Sequence, residues 1–307
     1  MSLLIKYIIF PGFLFTAIVG MVASWIDRKV TARVQWRVGP PFLQPFYDFV
    51  KLLGKEIIIP KGGSKWVFLS APLFGLAAIT FVSTLLWLPM LGQKTALFGD
   101  LIVVMCMLAV PSVAMIVGGF ASQNPLASLG ASREAKLILS YELPFIIASF
   151  IPVIKAKTID LASLLAWQAE HGMFLAQPSG MIAFVVLVLC MQAKLGLIPF
   201  DMPEAETEIM AGAYIEYSGA PLAVYKLTRS MMLFTVPMFV VVLLMGGIVF
   251  SGIHALWGVL KYVLLLVTVI LMRNTNPRLR IDQATRFFLI TASLLAAAGA
   301  ILALIGA

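Results

Sequence analysis

The sequence predicts an all-α integral membrane protein that forms a single membrane domain over residues 1–307. Of its residues, 61% are hydrophobic and only 12% are charged, and the mean hydropathy is +1.02. Soluble chains carry roughly 45–50% apolar and about 25% charged residues, so this composition excludes an ordinary soluble domain. Charged residues are also clustered, because long apolar runs separate short groups of Lys, Arg, Asp and Glu.

Eight apolar stretches are long enough to cross a bilayer, which takes about 20 mainly apolar residues in a helix. They are residues 5–25, 68–91, 99–120, 136–154, 178–197, 228–249, 254–273 and 286–305. A further helix is predicted at 44–56, where Phe46, Phe49, Val50 and Leu53 recur at helical spacing. Its charged residues lie off this apolar stripe, which favours an amphipathic helix in the membrane interface.

The positions of Lys and Arg predict the orientation of the chain. Most of them lie in four segments that an eight-span chain places on one side: 26–67, 121–135, 198–227 and 274–285. Positive charge marks cytoplasmic loops, so these segments are predicted to be cytoplasmic and both termini to lie outside. Topology then accounts for the net charge of +8, and no nucleic-acid partner is expected.

Residues 199–219 hold five of the fourteen acidic residues, namely Asp201, Glu204, Glu206, Glu208 and Glu216. A charge near hydrocarbon is expensive, about 2.5–3.5 kcal/mol at mid-bilayer on insertion scales. Clustered carboxylates repel one another, so that one of them can hold a proton near neutral pH. If the segment is helical from Glu204, then Glu204 and Glu208 share one face. The segment is a candidate access site for protons or ions, and a solvated acidic loop that contacts a basic partner is the alternative.

Two more charged residues fall inside apolar stretches. Glu142 lies about two turns into the fourth stretch, and Lys261 lies within the seventh. A carboxylate at this depth is expected to face protein or water, which favours a role in an ion route. The alternative is a structural ion pair with Arg133, Lys136 or Lys194. Lys261 either completes a polar path or extends its ammonium group to the outer surface.

These acids predict one connected polar route, from the cytoplasmic segment through Glu216 and Glu142 into the membrane. A stand-alone secondary transporter is an alternative from another class, and it would place a substrate site at mid-membrane, often with internal symmetry. Acids concentrated on one side of the membrane, and the lack of an evident internal repeat, argue against that alternative. Cys106 and Cys190 have no CxxC or CxxH spacing, so we expect no cofactor or metal bound by this chain.

Four segments resemble one known family. PFDMPEAETEIMAGAYIEYSG (199–219) is similar to the signature of the H-type membrane subunit of respiratory complex I and of the related energy-converting nickel–iron hydrogenases. DRKVTARVQWRVGP (27–40), LQPFYDFVKLLGKE (43–56) and ASREAKLILSYELP (131–144) resemble other parts of that subunit, in the same order. Asp27 stands where the family would be expected to have Glu. The resemblance extends over essentially the whole chain.

The resemblance implies a subunit that anchors a hydrophilic redox arm to the plasma membrane of a prokaryote and couples electron transfer to ion translocation. The implied ion-pathway residues are Glu142, Glu204, Glu206, Glu208, Glu216 and Asp201, with Lys261 as a candidate continuation. The implied redox-arm interface comprises Arg28, Arg33, Arg37, Asp48, Lys51 and Arg133. Iron–sulfur clusters and a nickel–iron site would belong to partners, which are a hydrogenase-like or quinone-reductase-like large subunit, iron–sulfur subunits and antiporter-like membrane subunits.

Two departures from complex I favour the hydrogenase and sulfur-reductase branch. Only Pro41 and Phe42 separate RVGP from LQP, where complex I usually has a longer stretch with Asn and Gly. The acidic segment reads PEAETE, where complex I typically has a Gly-containing equivalent. The quinone-chamber subunit of an NADH or ferredoxin:quinone oxidoreductase is the alternative. The terminal electron acceptor and the translocated ion, H⁺ or Na⁺, stay open.

Overall fold

The computed structural model describes residues 3–93, 100–250 and 252–306, and the regular structure within these ranges is helical. The α-helices are α1 (Leu3–Ile8), α2 (Phe13–Val34), α3 (Gln44–Leu53), α4 (Lys65–Met90), α5 (Asp100–Ala121), α6 (Pro125–Ala156), α7 (Leu161–His171), α8 (Pro178–Lys194), α9 (Glu206–Ile209), α10 (Gly219–Met245), α11 (Ile253–Thr275), α12 (Ile281–Arg286) and α13 (Ser293–Ile305). Short 3₁₀ helices lie at Phe174–Ala176 and Gly212–Tyr214, and π-helical turns at Phe287–Ala292 join α12 to α13.

The prediction of an all-α membrane protein is confirmed. Within the described ranges, seven helical segments are long and apolar enough to cross a membrane. The eighth predicted stretch corresponds to α8, a shorter apolar helix of 17 residues. That length lies at the lower end of the range for membrane-spanning helices.

Several helices extend beyond their apolar stretches into charged sequence. α6 begins at Pro125 rather than at residue 136, because the Asn124 side chain accepts a hydrogen bond from the Leu126 amide at 2.8 Å. An Asn N-cap followed by Pro is a strong start signal for a helix. α10 likewise begins at Gly219 rather than at 228. The predicted loops 121–135 and 198–227 are therefore partly helical.

The predicted interfacial helix is α3, which contacts both α2 and α10. Its apolar stripe is divided between two environments. Phe46 and Phe49 pack against the bundle, whereas Val50 and Leu53 remain exposed on the other side. The helix thus attaches to the bundle through one half of the stripe and leaves the other half available to lipid or to a partner.

The four segments predicted to be cytoplasmic meet at one end of the bundle, which we call the basic end. Ser218 donates a hydrogen bond to the Glu56 carbonyl at 3.1 Å, and the Leu279 amide donates one to the Pro199 carbonyl at 3.1 Å. Gly63 packs against the backbone of Ala121. Contacts among all four segments agree with the predicted segregation, while their cytoplasmic location stays a prediction.

α10 is the most deeply buried of the membrane-spanning helices, with contacts to α2, α4, α8 and α11. It packs tightly against α2 at Gly20. A Cβ on Gly20 would lie 2.6 Å from the Ser230 carbonyl oxygen and 2.8 Å from the Met231 Cα. The two backbones therefore meet at a position that has no room for a side chain.

We predict that Gly20→Ala destabilises the protein by about 1–3 kcal/mol through overpacking, although alanine has the higher helix propensity. Gly75→Ala is the matched control, because its Cβ would meet Ala114 Cβ at 3.4 Å, an ordinary contact. This control is expected to be neutral or to stabilise by up to about 1 kcal/mol. Thermal unfolding in detergent measures both, and equal Tm values for the two variants would contradict the packing at Gly20.

Candidate ion route and redox-arm interface

The described acidic side chains of segment 199–218 each contact a different part of the bundle. The partners are Arg278 for Asp201 at 3.0 Å, Arg229 for Glu204, Arg133 for Glu208 at 2.5 Å, and Asn124 for Glu216 at 2.5 Å. These contacts reach α6, α10 and the loop between α11 and α12. The segment is therefore held by polar contacts across the basic end.

The predicted pairing of Glu204 and Glu208 on one helical face does not occur. α9 begins at Glu206, so Glu204 lies before the helix and Glu208 within it. Pro203 precedes Glu204, and its carbonyl packs directly against Gly212, whose φ is +55°. This tight turn directs Glu204 towards α10 and leaves Glu208 near α6. The Glu206 side chain lies outside the described residues.

A small cavity of about 40 Å³ lies beneath this segment. Its charged lining comes from α6, α8, α10 and the loop, namely Glu134, Lys194, Asp201, Glu204 and Arg229. Such a volume has space for one or two water molecules among polar partners. We call this small cavity the chamber. Two of the predicted pathway residues, Asp201 and Glu204, line it.

Glu134 is a site residue that the sequence did not single out. It is only 4% exposed, and no ion pair joins it within the described part of the chain. Ser112 lines the same cavity as Glu134, and its hydroxyl lies 3.4 Å from the hydroxyl of Tyr141. Glu134 lies eight residues before Glu142 on α6, about 12 Å along the axis at 1.5 Å per residue. The spacing of about two turns from Glu142 was the sequence signal that could have identified Glu134. The flanking Arg133 and Lys136 instead make the segment resemble the charged start of a helix.

Glu142 forms an ion pair with Lys194 of α8, with 2.5 Å between Oε1 and Nζ. This is the alternative that was less favoured from the sequence. The Lys194 side chain is completely buried, and its ammonium lies 4.5 Å from the ring centre of Phe145 and 5.2 Å from that of Tyr141. Because Lys194 also lines the small cavity, it connects Glu142 to the chamber that contains Glu134.

Three other predicted pathway residues lie apart from the chamber. Glu208 and Glu216 line neither this cavity nor the larger one beside it. Lys261 donates a hydrogen bond to the carbonyl of Met245, the last residue of α10, at 2.7 Å. Since α10 begins at the basic end, Lys261 lies at the opposite end and caps a helix C-terminus.

A larger cavity of about 420 Å³ adjoins the small one. Both cavities are lined by Glu204, Tyr214, Tyr225 and Arg229, and the larger one adds Tyr217 and Lys226 among others. Cavities of about 300–1,000 Å³ with mostly apolar and aromatic walls and a few polar groups are typical of small-molecule sites. This cavity therefore has the size and lining to admit an amphiphilic aromatic molecule.

The predicted redox-arm interface is only partly an open surface. Arg28 forms an ion pair with Asp48 at 2.6 Å, and Arg33, Arg37 and Lys51 are exposed. Arg28 and Arg37 also border an open depression of about 390 Å³, beside the ion pair between Asp27 and Arg273. Trp36 is 98% exposed next to these arginines. Arg133 instead turns towards Glu208.

The family model described as NADH dehydrogenase matches residues 5–304. The chain belongs to the NADH dehydrogenase family. Its relatives include the H-type subunit of the NADH-quinone oxidoreductase of Geobacillus kaustophilus, 34% identical over 278 residues that cover 85% of this chain and 81% of the relative. The corresponding NADH-quinone oxidoreductase subunit of Thermomicrobium roseum is 34% identical over 313 residues, which cover 92% and 89%.

A solved structure of the membrane-bound sulfane sulfur reductase, an archaeal respiratory membrane complex, has a chain with the same fold. The TM-score is 0.85 with 26% identity, over 95% of this chain and 96% of that chain. The family resemblance inferred from the four motifs is confirmed. Subunits of NADH-quinone oxidoreductases and a chain of a sulfur reductase complex thus both match this chain along most of its length.

Two aspartates of the basic end have pKa values shifted in opposite directions. Burial raises the pKa of Asp201 to about 6, and the nearby Glu204 adds to this effect against the opposing charges of Arg229 and Arg278. Burial also acts to raise the pKa of Asp48, but hydrogen bonds from Arg28 and Gln44 outweigh it and lower the value. The two residues therefore predict opposite dependences of stability on pH.

We predict that Asp201→Asn gains stability relative to the wild type as the pH rises from about 4 to about 6. A raised pKa means that the folded state binds the proton more tightly than the unfolded chain. The stabilisation by protonated Asp201 is present below the ordinary aspartate pKa and is lost as pH rises through about 6. Asparagine stays neutral and avoids this loss, and Tm measured in detergent across this range tests it.

Asp48→Asn provides the control of opposite sign. Because the pKa of Asp48 is lowered, its ionised form stabilises the fold above the ordinary aspartate pKa, and that stabilisation is lost as pH falls. Asp48→Asn is therefore expected to be the less stable chain at neutral pH and to approach the wild type in acid. The same pH trend in both variants would contradict the two assignments.

Proposed function

We propose that this chain is the membrane subunit that couples electron transfer to ion movement in a complex-I-like oxidoreductase of a prokaryotic plasma membrane. The observation that carries this proposal is the buried chamber containing Asp201, Glu204 and Glu134, linked through Lys194 to Glu142. A line of carboxylates between a loop and a membrane-spanning helix is what an ion route requires. The family membership supports the setting of a multi-subunit redox complex.

The coupling we propose is electrostatic. Electron transfer in a hydrophilic arm bound at the basic end changes the charge near segment 199–218. A nearby charge alters whether a carboxylate holds its proton, and the effect is larger in a site shielded from water. Asp201 and Glu204 would respond first, because both line the chamber and belong to the segment. Glu134 and Glu142 would carry the response into α6.

The arm would bind to the exposed part of the basic end, around Arg28, Arg33, Arg37 and Lys51. We propose that iron–sulfur clusters, and a nickel–iron site in the hydrogenase branch, are held by the partner subunits rather than by this chain. Antiporter-like membrane subunits would continue the ion route. A passive anchor, whose acidic segment only binds the arm, is the main competing role.

Purification in mild detergent from the native membrane, followed by mass spectrometry, tests the assignment to a complex. Co-purification of a hydrogenase-like or quinone-reductase-like large subunit with iron–sulfur and antiporter-like subunits is expected. The cysteine motifs of that large subunit would then distinguish hydrogenase, sulfur reductase and quinone reductase. A stable, monodisperse chain without partners would overturn the proposal and favour a stand-alone transporter.

Quinone binding is a second candidate function, supported by the 420 Å³ cavity with Tyr214, Tyr217 and Tyr225 in its wall and by the names of the curated relatives. A photoreactive quinone analogue added to the intact complex tests it. Labelled peptides from residues 211–229 that disappear on competition with unlabelled quinone would support quinone binding. Labelling that resists competition would favour the hydrogenase or sulfur-reductase branch.

We predict that Glu142→Gln reduces the number of ions moved per electron to background, because the amide cannot exchange a proton with the route. Glutamine keeps the shape of the side chain and can still accept a hydrogen bond from Lys194. Glu170→Gln is the control, since Glu170 is exposed on α7. Sealed membrane vesicles with a dye for pH or potential, combined with an assay of electron transfer, measure this ratio.

Normal ion movement in the Glu142→Gln complex would contradict the route and favour the passive anchor. Loss of electron transfer together with ion movement would instead indicate failed assembly, which subunit analysis of the purified complex detects. Glu204→Gln then provides an independent test at the other end of the chamber. A passive anchor predicts that neither substitution changes the ratio in an assembled complex.

A further inference from the structure

We infer that Lys194 is a shared counter-ion for Glu134 and Glu142, so that a proton resides on whichever carboxylate lacks the ammonium group. This inference deepens the proposed ion route and gives Lys194 the role of a positioning residue within it. It assigns the exchangeable proton to a specific pair of acids on α6.

The number of charges in the chamber leads to this inference. Arg229 is paired with Glu204, and Lys194 is paired with Glu142. Glu134 lines the chamber beside Ser112 and has no ion pair in the described part of the chain. An ionised carboxylate in a buried site is strongly unfavourable without a cation and takes up a proton instead. With Lys194 on Glu142, the proton therefore belongs to Glu134.

The surroundings of Lys194 allow it to change partners. Its ammonium faces the rings of Phe145 and Tyr141, which stabilise a cation without fixing it to one hydrogen-bond direction. A lysine side chain is flexible and carries a compact charge, unlike the planar fork of arginine. Because Lys194 lines the chamber together with Glu134, movement of the ammonium group towards Glu134 would leave Glu142 to take up the proton.

The other two charged groups that act on Glu134 balance each other. Glu204 of the loop and Arg229 of α10 act on it together with Lys194 of α8. Glu204 and Arg229 neutralise each other as an ion pair. Ser112 of α5 contributes a hydroxyl group without charge. Lys194 is thus the cation whose position decides between the two acids.

Infrared spectroscopy of the intact, resting complex at neutral pH tests the sharing. A protonated carboxyl band that is sensitive to D₂O and lost in Glu134→Gln identifies the Glu134 proton. In Glu142→Gln the ammonium no longer faces a negative charge at residue 142, so it is expected to pair with Glu134 and this band to disappear. In the double variant Lys194→Met with Glu142→Gln the remaining cation of the chamber, Arg229, is paired with Glu204, so the band is expected to return.

A Glu134 band that persists in Glu142→Gln would overturn the inference, and so would its absence from the double variant. If Glu142→Gln does not assemble, Lys194→Met provides the second measurement. Glu142 should then gain a protonated band of its own, and a Glu142 that stays ionised would overturn the sharing. Glu170→Gln is the control that should leave every band in place.

These measurements use a complex that is not turning over. The inference that Lys194 is shared and the proposal that ions move through Glu142 can therefore be contradicted independently of each other. A complex with the expected bands but normal ion movement in Glu142→Gln would retain the shared counter-ion and reject the route.

Discussion

The ion pair between Glu204 and Arg229 is the interaction on which the basic end of the bundle depends. It joins the acidic segment to α10, the helix that contacts most of the other membrane-spanning helices. Arg229 also donates a hydrogen bond to the Gly196 carbonyl at 3.1 Å. One guanidinium therefore binds both the end of α8 and the start of the acidic segment. Loss of Glu204 would leave Arg229 without this partner at the junction of the segment with α10. Asp201 and Glu208, on either side of Glu204, form their own ion pairs with Arg278 and Arg133.

Apolar run length and the grouping of basic residues were enough to predict the helical membrane fold and the association of the four charged segments. The apolar pattern alone could not predict how far the helices extend past their apolar cores. α6 begins eleven residues before its apolar stretch, between Pro125 and residue 136, because the cap at Asn124 and not the hydrophobic pattern sets its start. Capping acts on backbone groups and is independent of the membrane boundary.

The sequence was enough to identify the acidic segment as the centre of the candidate site. It was not enough to identify the residues that pair with its acids. Glu142 and Lys194 lie 52 residues apart in sequence, and Glu208 and Arg133 lie 75 apart. Pairing over such separations follows from helix packing, which a single sequence does not encode in a local pattern. Glu134 was missed for the same reason, since burial distinguishes it from an ordinary charged residue at a helix start. Sequence position alone places Lys261 inside a membrane span, which is why the sequence makes it a candidate for the ion pathway.

The two cavities share a wall formed by Glu204, Tyr214, Tyr225 and Arg229, so a group bound in one cavity would lie against charges that also face the other. Burial raises the pKa of Tyr214 well above the usual value for tyrosine, so it stays a neutral hydrogen-bond donor beside Glu204. A ligand or a reduced centre that draws Arg229 towards the larger cavity would weaken its hold on Glu204. By thermodynamic linkage, protonation of Glu204 would then favour that same ligand or redox state. The reciprocity requires no movement of whole helices, because a single guanidinium faces both cavities.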